Sequence, residues 1–431
     1  MGLSEKIVST YTSILKEELV VAMGCTEPIA IAYAAAVVRH VLGDAPDSVE
    51  VALSGNIIKN VKSVIVPATG GMHGIAAAVA AGVVAGCPEK KLEVLCSLHE
   101  EDVATVGSYL ANTPITVSEA ESESAFEIIM TGYLKGESAT VRLTNRHTNI
   151  VLVKKGEEDL THLYRLNENE TPAYVASREL LTVKDIVTFA DEVDLTELAP
   201  LLRRQIAMNM AIAREGLSEE YGASIGRLLY QGGNCLLRDR ARAFAAAGSD
   251  ARMNGCELPV SIISGSGNQG ITASVPLVIY AEAMNKSEEE LLRALIVSDL
   301  ITVHQKTGIG CLSAYCGAIS AGCGCGCGIC YLKGGRFDEI AHTLVNSIAI
   351  LSGTICDGAK ASCAAKISMA VEAGIMGYEM MSAGKEFRGG DGIVTKGVEN
   401  TIRNVGILAR EGMSETDRRI IQIMLETKGE K

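Results

Sequence analysis

From Gly308 to Leu332 the chain carries no charged side chain, a run long enough to span a bilayer. Its residues, GIGCLSAYCGAISAGCGCGCGICYL, are largely Gly, Ala, Ser and Cys, with little Leu, Ile or Phe to drive insertion. No basic cluster or aromatic belt flanks it. The run is therefore read as a helix, or helix pair, buried inside a soluble protein. Side chains this small let backbones approach closely, and the rest of the fold has to supply the partners.

Eight of the 13 cysteines lie in or beside this run, at Cys311, Cys316, Cys323, Cys325, Cys327, Cys330, Cys356 and Cys363. A disulfide framework is the first reading of so many. The count is odd, however, the N-terminal segment has no signal-peptide core, and a chain this long does not need staples. Reduced thiols in a cytoplasm, some of them holding metal, are expected instead. Cys323, Cys325 and Cys327 alternate with glycine, a spacing that fits neither zinc nor ferredoxin runs, and read as small packing residues. Cys356 is placed at the start of a helix through AKASCAAKISMAVEAG, with Cys363 two turns along the same face. Cys25, in GCTEP, precedes a helix with Thr26 as N-cap and Pro28 in its first turn, where the dipole favours a thiolate. Cys25, Cys356 and one cysteine of the Cys311–Cys330 group would make a three-cysteine site. That suits a [4Fe–4S] cluster with one open iron; zinc with three ligands fits the spacing too.

At 431 residues, two domains are expected. A net charge of −13 and a pI near 5.2 argue against nucleic acid or an anionic membrane as partner. Periodicity predicts a helix over Ser4–Met23, then a short strand ending in a Ser54-Gly55-Asn56 turn, then a glycine-rich loop running into an apolar helix after Ala68. From Pro88 the pattern changes. Strands are predicted at Leu92–Leu98, Ile115–Ala120, Phe126–Leu134, Ser138–Thr144 and Asn149–Lys155, in a mostly antiparallel sheet, with a helix over His99–Ala111. The polar cluster Arg146-His147-Thr148-Asn149 reads equally as a solvated turn or one facing substrate. The expected fold is α+β: a mainly helical cluster-binding domain (1–85 and 168–431) with a smaller inserted α+β domain (86–167).

One loop, SIISGSGNQG, resembles those that bind pyridoxal phosphate. Such enzymes need a lysine shortly before the loop, and none lies between Lys184 and Lys286. What remains is a nest of N–H groups around Ser264, Gly265, Ser266, Asn268 and Gln269, suited to a substrate carboxylate.

Taken together, GCTEP at Cys25, LSGNIIKN at Leu53, SGSGNQG at Ser264, SAYCG at Cys316, CDGAKASCAAK at Cys356 and GDGIV at Gly390 resemble the L-cysteine desulfidase family. These are iron–sulfur enzymes related to the iron–sulfur L-serine dehydratases, and the motifs span essentially the whole chain. The resemblance implies Cys25, Cys316 and Cys356 as the ligands of a [4Fe–4S] cluster, and leaves Cys363 open as a further ligand. It implies β-elimination of L-cysteine: a base removes the Cα proton, hydrosulfide leaves, and aminoacrylate hydrolyses to pyruvate and ammonia. Lys306, His304 and Glu27 are the candidate bases. Ser54 and Asn56 join the Ser264–Gln269 loop as expected substrate contacts, and a homodimer is the candidate assembly.

Overall fold

The computed structural model describes residues 2–426 except 123, 165–176, 232–234 and 311, so the expected roles of Cys311 fall outside the described residues. The first helix, α1 (Glu5–Glu18), stops short of the predicted Met23, because the apolar run after it pairs as a strand, β1 (Val21–Met23). Its partner is β8 (Pro259–Ser261), antiparallel, with Val21 opposite Ser261. Helix α2 (Thr26–Leu42) follows, and its N-cap is Cys25 itself instead of the expected Thr26.

β2 (Ser48–Leu53) leads directly into a short helix, α3 (Gly55–Val61), so Ser54-Gly55-Asn56 is a helix start and not a turn. Helix α4 (Ile75–Ala85) lies against α2. The predicted strand at Leu92–Leu98 is absent. Lys91 there has φ +50°, and Leu92, Val94, Leu95 and Leu98 are buried from 3₁₀ turns packed on α2. After α5 (Val103–Asn112), the remaining strands form one sheet in the order β3-β2-β4-β5-β6-β7. These are β3 (Ile115–Glu119), β4 (Glu127–Leu134), β5 (Glu137–Thr144), β6 (Ile150–Lys155) and β7 (Glu158–Asp159). Only the β2–β3 pair is parallel. β2, drawn from the first 85 residues, sits between β3 and β4, and α2 packs beneath β4 and β5. Alternating burial along β4 and β5 puts Ile128, Met130, Ala139 and Val141 on that inner face.

The C-terminal half is helical: α6 (Val183–Glu192), α7 (Ala199–Ser218), α8 (Ile225–Tyr230), α9 (Leu237–Met253), α10 (Gly267–Ala283) and α11 (Glu288–Ile309). Then come α12 (Gly317–Leu332), α13 (Phe337–Leu351), α14 (Cys363–Ser382), α15 (Val398–Ile407) and α16 (Ser414–Glu426). The charge-free run becomes α12, which α10, α11, α13 and α14 surround. Every residue from Ala318 to Leu332 is buried. Cys323, Cys325 and Cys327 are buried in this packing. The α12–α14 crossing is close enough that a Cβ on Gly326 would lie 2.4 Å from the Gly374 carbonyl oxygen. One helical turn earlier, a Cβ on Gly322 would meet the Ala370 carbonyl at 2.3 Å in the same way. The matched steps, 322 to 326 and 370 to 374, mean that the two helices run parallel. Their N-termini share one end.

Among the described residues no helix is long and apolar enough to cross a membrane.

Candidate active site

Two loops carry Cys316 and Cys356, and main-chain pairing holds them together. Tyr315 bridges Ile355, the Cys316 N–H donates to the Thr354 carbonyl at 3.1 Å, and the Cys356 N–H donates to Ala314 at 2.6 Å. Cys316 is thereby the N-cap of α12. Cys356 is not at a helix start as expected. The helix begins seven residues later, with Cys363 as its first residue, because the intervening Asp357–Ser362 segment turns back instead of coiling.

These thiols line one cavity of about 100 Å³ together with Cys25. Four helix N-termini meet at it: α2 through Cys25, α10 through Ser266, α12 through Cys316 and α14 through Cys363. Each brings the positive end of a helix dipole, so the cavity favours anions. Burial works against this for the bare thiols. It raises Cys25 well above the ordinary thiol range, with the Glu27 charge adding to the effect, and it pushes Cys316 up to about 12, with Cys356 adding. Cys363 is raised as well, chiefly by burial. The expected free thiolate at Cys25 is thus overturned by desolvation. A bound cation would reverse the balance. Four soft sulfur donors around one cavity suit an iron–sulfur group or zinc in kind. Among the described residues, no three His, Cys, Asp or Glu side chains already surround a common metal position.

Glu27 lies beside Cys25. Its carboxylate accepts from the Cys25 thiol (3.1 Å), the Thr26 hydroxyl (3.1 Å) and Asn60 Nδ2 (3.3 Å), and faces His147 Nε2 at 3.8 Å. Burial would raise its pKa, but His147 and the Cys25 thiol bring it down to about 2, so the group is a carboxylate at neutral pH. His147 comes from the β5–β6 turn and packs edge-on against Phe126, with ring centroids 4.8 Å apart. The Arg146–Asn149 turn therefore faces the site, and the small sheet supplies one wall.

The Ser264–Gln269 loop forms another. It leaves β8, which Asn209 pins like an extra strand: Ser261 N–H donates to Asn209 Oδ1 at 3.0 Å, and Asn209 Nδ2 donates back to the Ser261 carbonyl at 3.2 Å. The Ser264 N–H donates to Glu18 Oε2 at 2.8 Å, and Arg178 holds Glu18 at 2.6 Å. One N–H of the expected nest is therefore spent on the protein itself. Thr26 Oγ1 donates to the Gly265 carbonyl at 2.8 Å, tying the start of α2 to the start of α10.

Of the expected site residues, Cys25, Glu27, Ser264, Gly265, Ser266, Asn268, Gln269, Lys306, Cys316 and Cys356 line this one cavity. His304 does not; its Nε2 lies 2.6 Å from Glu399. Ser54 and Asn56 are also elsewhere, Ser54 being bonded to Ala125 and Glu127 of the sheet. Two further cavity residues were not singled out from the sequence: Arg252 carried no signal beyond its charge, and Lys366 stood only as the last residue of the CDGAKASCAAK motif. Arg252 is 2 % exposed, and its Nε and Nη2 have no hydrogen-bond partner among the described residues. Lys366 donates to the Ile355 carbonyl at 2.9 Å and to Asp357 at 2.5 Å; burial pulls its pKa down, and the Asp357 carboxylate more than offsets this and raises it.

A family model described as serine dehydratase alpha chain matches residues 89–422. The chain belongs to this family. Such membership carries a relation to the iron–sulfur serine dehydratases. Among relatives of this serine dehydratase-family chain, the UPF0597 protein of Desulfitobacterium hafniense is 53% identical over 425 residues, covering 99% of this chain and 98% of the relative. Those of Treponema denticola and Finegoldia magna are 44% and 47% identical, over 99% and 97% of this chain and the full length of each relative.

Proposed function

We propose that this chain is an iron–sulfur-dependent lyase that eliminates hydrosulfide from L-cysteine, yielding sulfide, pyruvate and ammonia, in a reducing cytoplasm. The observation that carries the reading is the convergence of Cys25, Cys316, Cys356 and Cys363 on a cavity that also receives the N-terminus of α10. Cys25, Cys316 and Cys356 would hold a [4Fe–4S] cluster, with Cys363 beside them. When bound, such a group supplies Lewis acidity toward the substrate's leaving heteroatom.

The chain's own residues account for the rest. The N-terminal N–H groups of α10 donate to the substrate carboxylate, which makes the adjacent Cα proton easier to remove. Lys306, buried on α11 and facing the cavity, takes that proton as its neutral amine, and the Cβ–S bond breaks, releasing hydrosulfide, as the Cα–Cβ double bond forms. Glu27 is poorly suited to this step, since a carboxylate held near 2 is a weak base. Lys366, kept charged by Asp357, offsets the negative charge of thiolates nearby. Pyridoxal phosphate has no part in this scheme.

A second reading, dehydration of L-serine, is favoured by the family's description. Both amino acids share the carboxylate and the Cα proton, and differ only in the leaving atom. Anaerobic purification, an iron count, and parallel assays of sulfide from L-cysteine and pyruvate from L-serine test both. About four irons per chain and sulfide release are expected. Tightly bound zinc without iron uptake would reject the cluster; pyruvate from serine alone would reassign the substrate.

A further inference from the structure

We infer that Arg252 is the residue that reads the substrate's α-carboxylate, restricting the enzyme to amino acids with a free carboxylate. The inference rests on the lyase reading above and names how that site selects its substrate class. Arg252 lies in the last turn of α9 and lines the cavity beside the first turn of α10. Among the described residues only Nη1 is engaged, donating to Asn268 Oδ1 at 3.1 Å. Nε and Nη2 are buried without a partner. An arginine is always charged, and a buried guanidinium lacking an anion is strongly unfavourable. The site therefore calls for one.

The free nitrogens belong to a planar fork, which matches the two oxygens of a carboxylate better than the single sulfur of a thiolate. The neighbouring thiol, Cys25, is itself turned to Glu27. The guanidinium also lies across the start of α10: a Cβ on Gly267 would stand 2.3 Å from Nε. Gly267 thus leaves room for the arginine at the point where the helix's own N–H groups emerge. Arg252, Asn268 and the helix end together form one carboxylate seat.

The test compares holoenzyme with Arg252→Gln and Arg252→Lys, each with its iron content measured, on L-cysteine and L-cysteine methyl ester. Wild type should favour the acid by about 100-fold or more in kcat/KM, because a site built for a charged partner rejects its absence. In Arg252→Gln the ratio should collapse toward unity through loss on L-cysteine alone, with Arg252→Lys in between. An unchanged ratio at full iron content overturns the inference. If Arg252→Gln takes up no iron, wild type decides: L-alanine should raise the melting temperature and L-alaninamide should not, and equal shifts reject a carboxylate seat. Wild type that turns over neither cysteine nor serine fails the lyase reading instead, and the alanine comparison repeated on Arg252→Lys and Arg252→Gln still judges Arg252: the L-alanine shift should shrink in both, and an undiminished shift overturns the inference.

Discussion

At the scale of single residues, the cysteines separate by environment. Cys325 is fully buried inside α12, whereas Cys356 sits on a loop at the cavity. Cys325→Ala exchanges one small buried group for another and should cost ~1 kcal/mol or less, keeping iron and turnover. Cys356→Ala should lose both, as read by an iron assay beside sulfide production. The candidate bases separate similarly. Lys306→Met should lower kcat by about 10²-fold or more at unchanged iron content, and His304→Asn should leave kcat near wild type. Asp299 makes a different kind of prediction. It is fully buried in α11, accepts from Gln205 Nε2 at 3.0 Å, and burial raises its pKa to about 8. Between its ordinary value of 3.8 and about 8, the unfolded chain releases this proton and the folded one keeps it. Stability therefore falls as pH rises through that window, by on the order of 1.4 kcal/mol per unit. Asp299→Asn should melt higher than wild type at pH 8, and the gain should vanish near pH 4. That Cys25, Cys316 and Cys356 belong together was legible from their motifs, and they do line one cavity. Arg252 was not, because only the fold reveals that it is buried and unpaired.

At the scale of elements, the charge-free run was the clearest signal, and its helix is buried from Ala318 to Leu332. The α12–α14 crossing depends on glycine at the contact. Gly326→Ala would drive a methyl group onto the Gly374 carbonyl and should destabilise by about 1–3 kcal/mol or more, visible in denaturant melts. Where prediction failed, local pattern yielded to tertiary packing. Val21–Met23 continues the helical period of α1 yet pairs with β8, a partner more than 230 residues away. Leu92–Leu98 alternates like a strand, but its apolar side chains are buried from 3₁₀ turns on α2. Ser54-Gly55-Asn56 has turn residues that also serve as a helix start, and only the following contacts decide between the two.

At the scale of the whole molecule, the α+β character and the position of the sheet region in the chain were readable from composition and alternation. Its relation to the site was not. The β5–β6 turn brings His147 against Glu27, and α2 runs from the cavity to the underside of the sheet. His147→Ala should reduce turnover of L-cysteine by about 10-fold or more while leaving iron content intact, because a small displacement of the substrate side is enough to slow reaction. Loss of iron in that variant would mean instead that the sheet supports the thiols.

The four helix ends at the cavity have one more consequence. Their attraction for negative charge resides in the peptide groups, and every amino acid except proline brings the same N–H. A scan that replaces side chains one at a time by alanine would pass over this part of the site without registering it. Moving a helix, or placing a proline in its first turn, would be needed to make it visible.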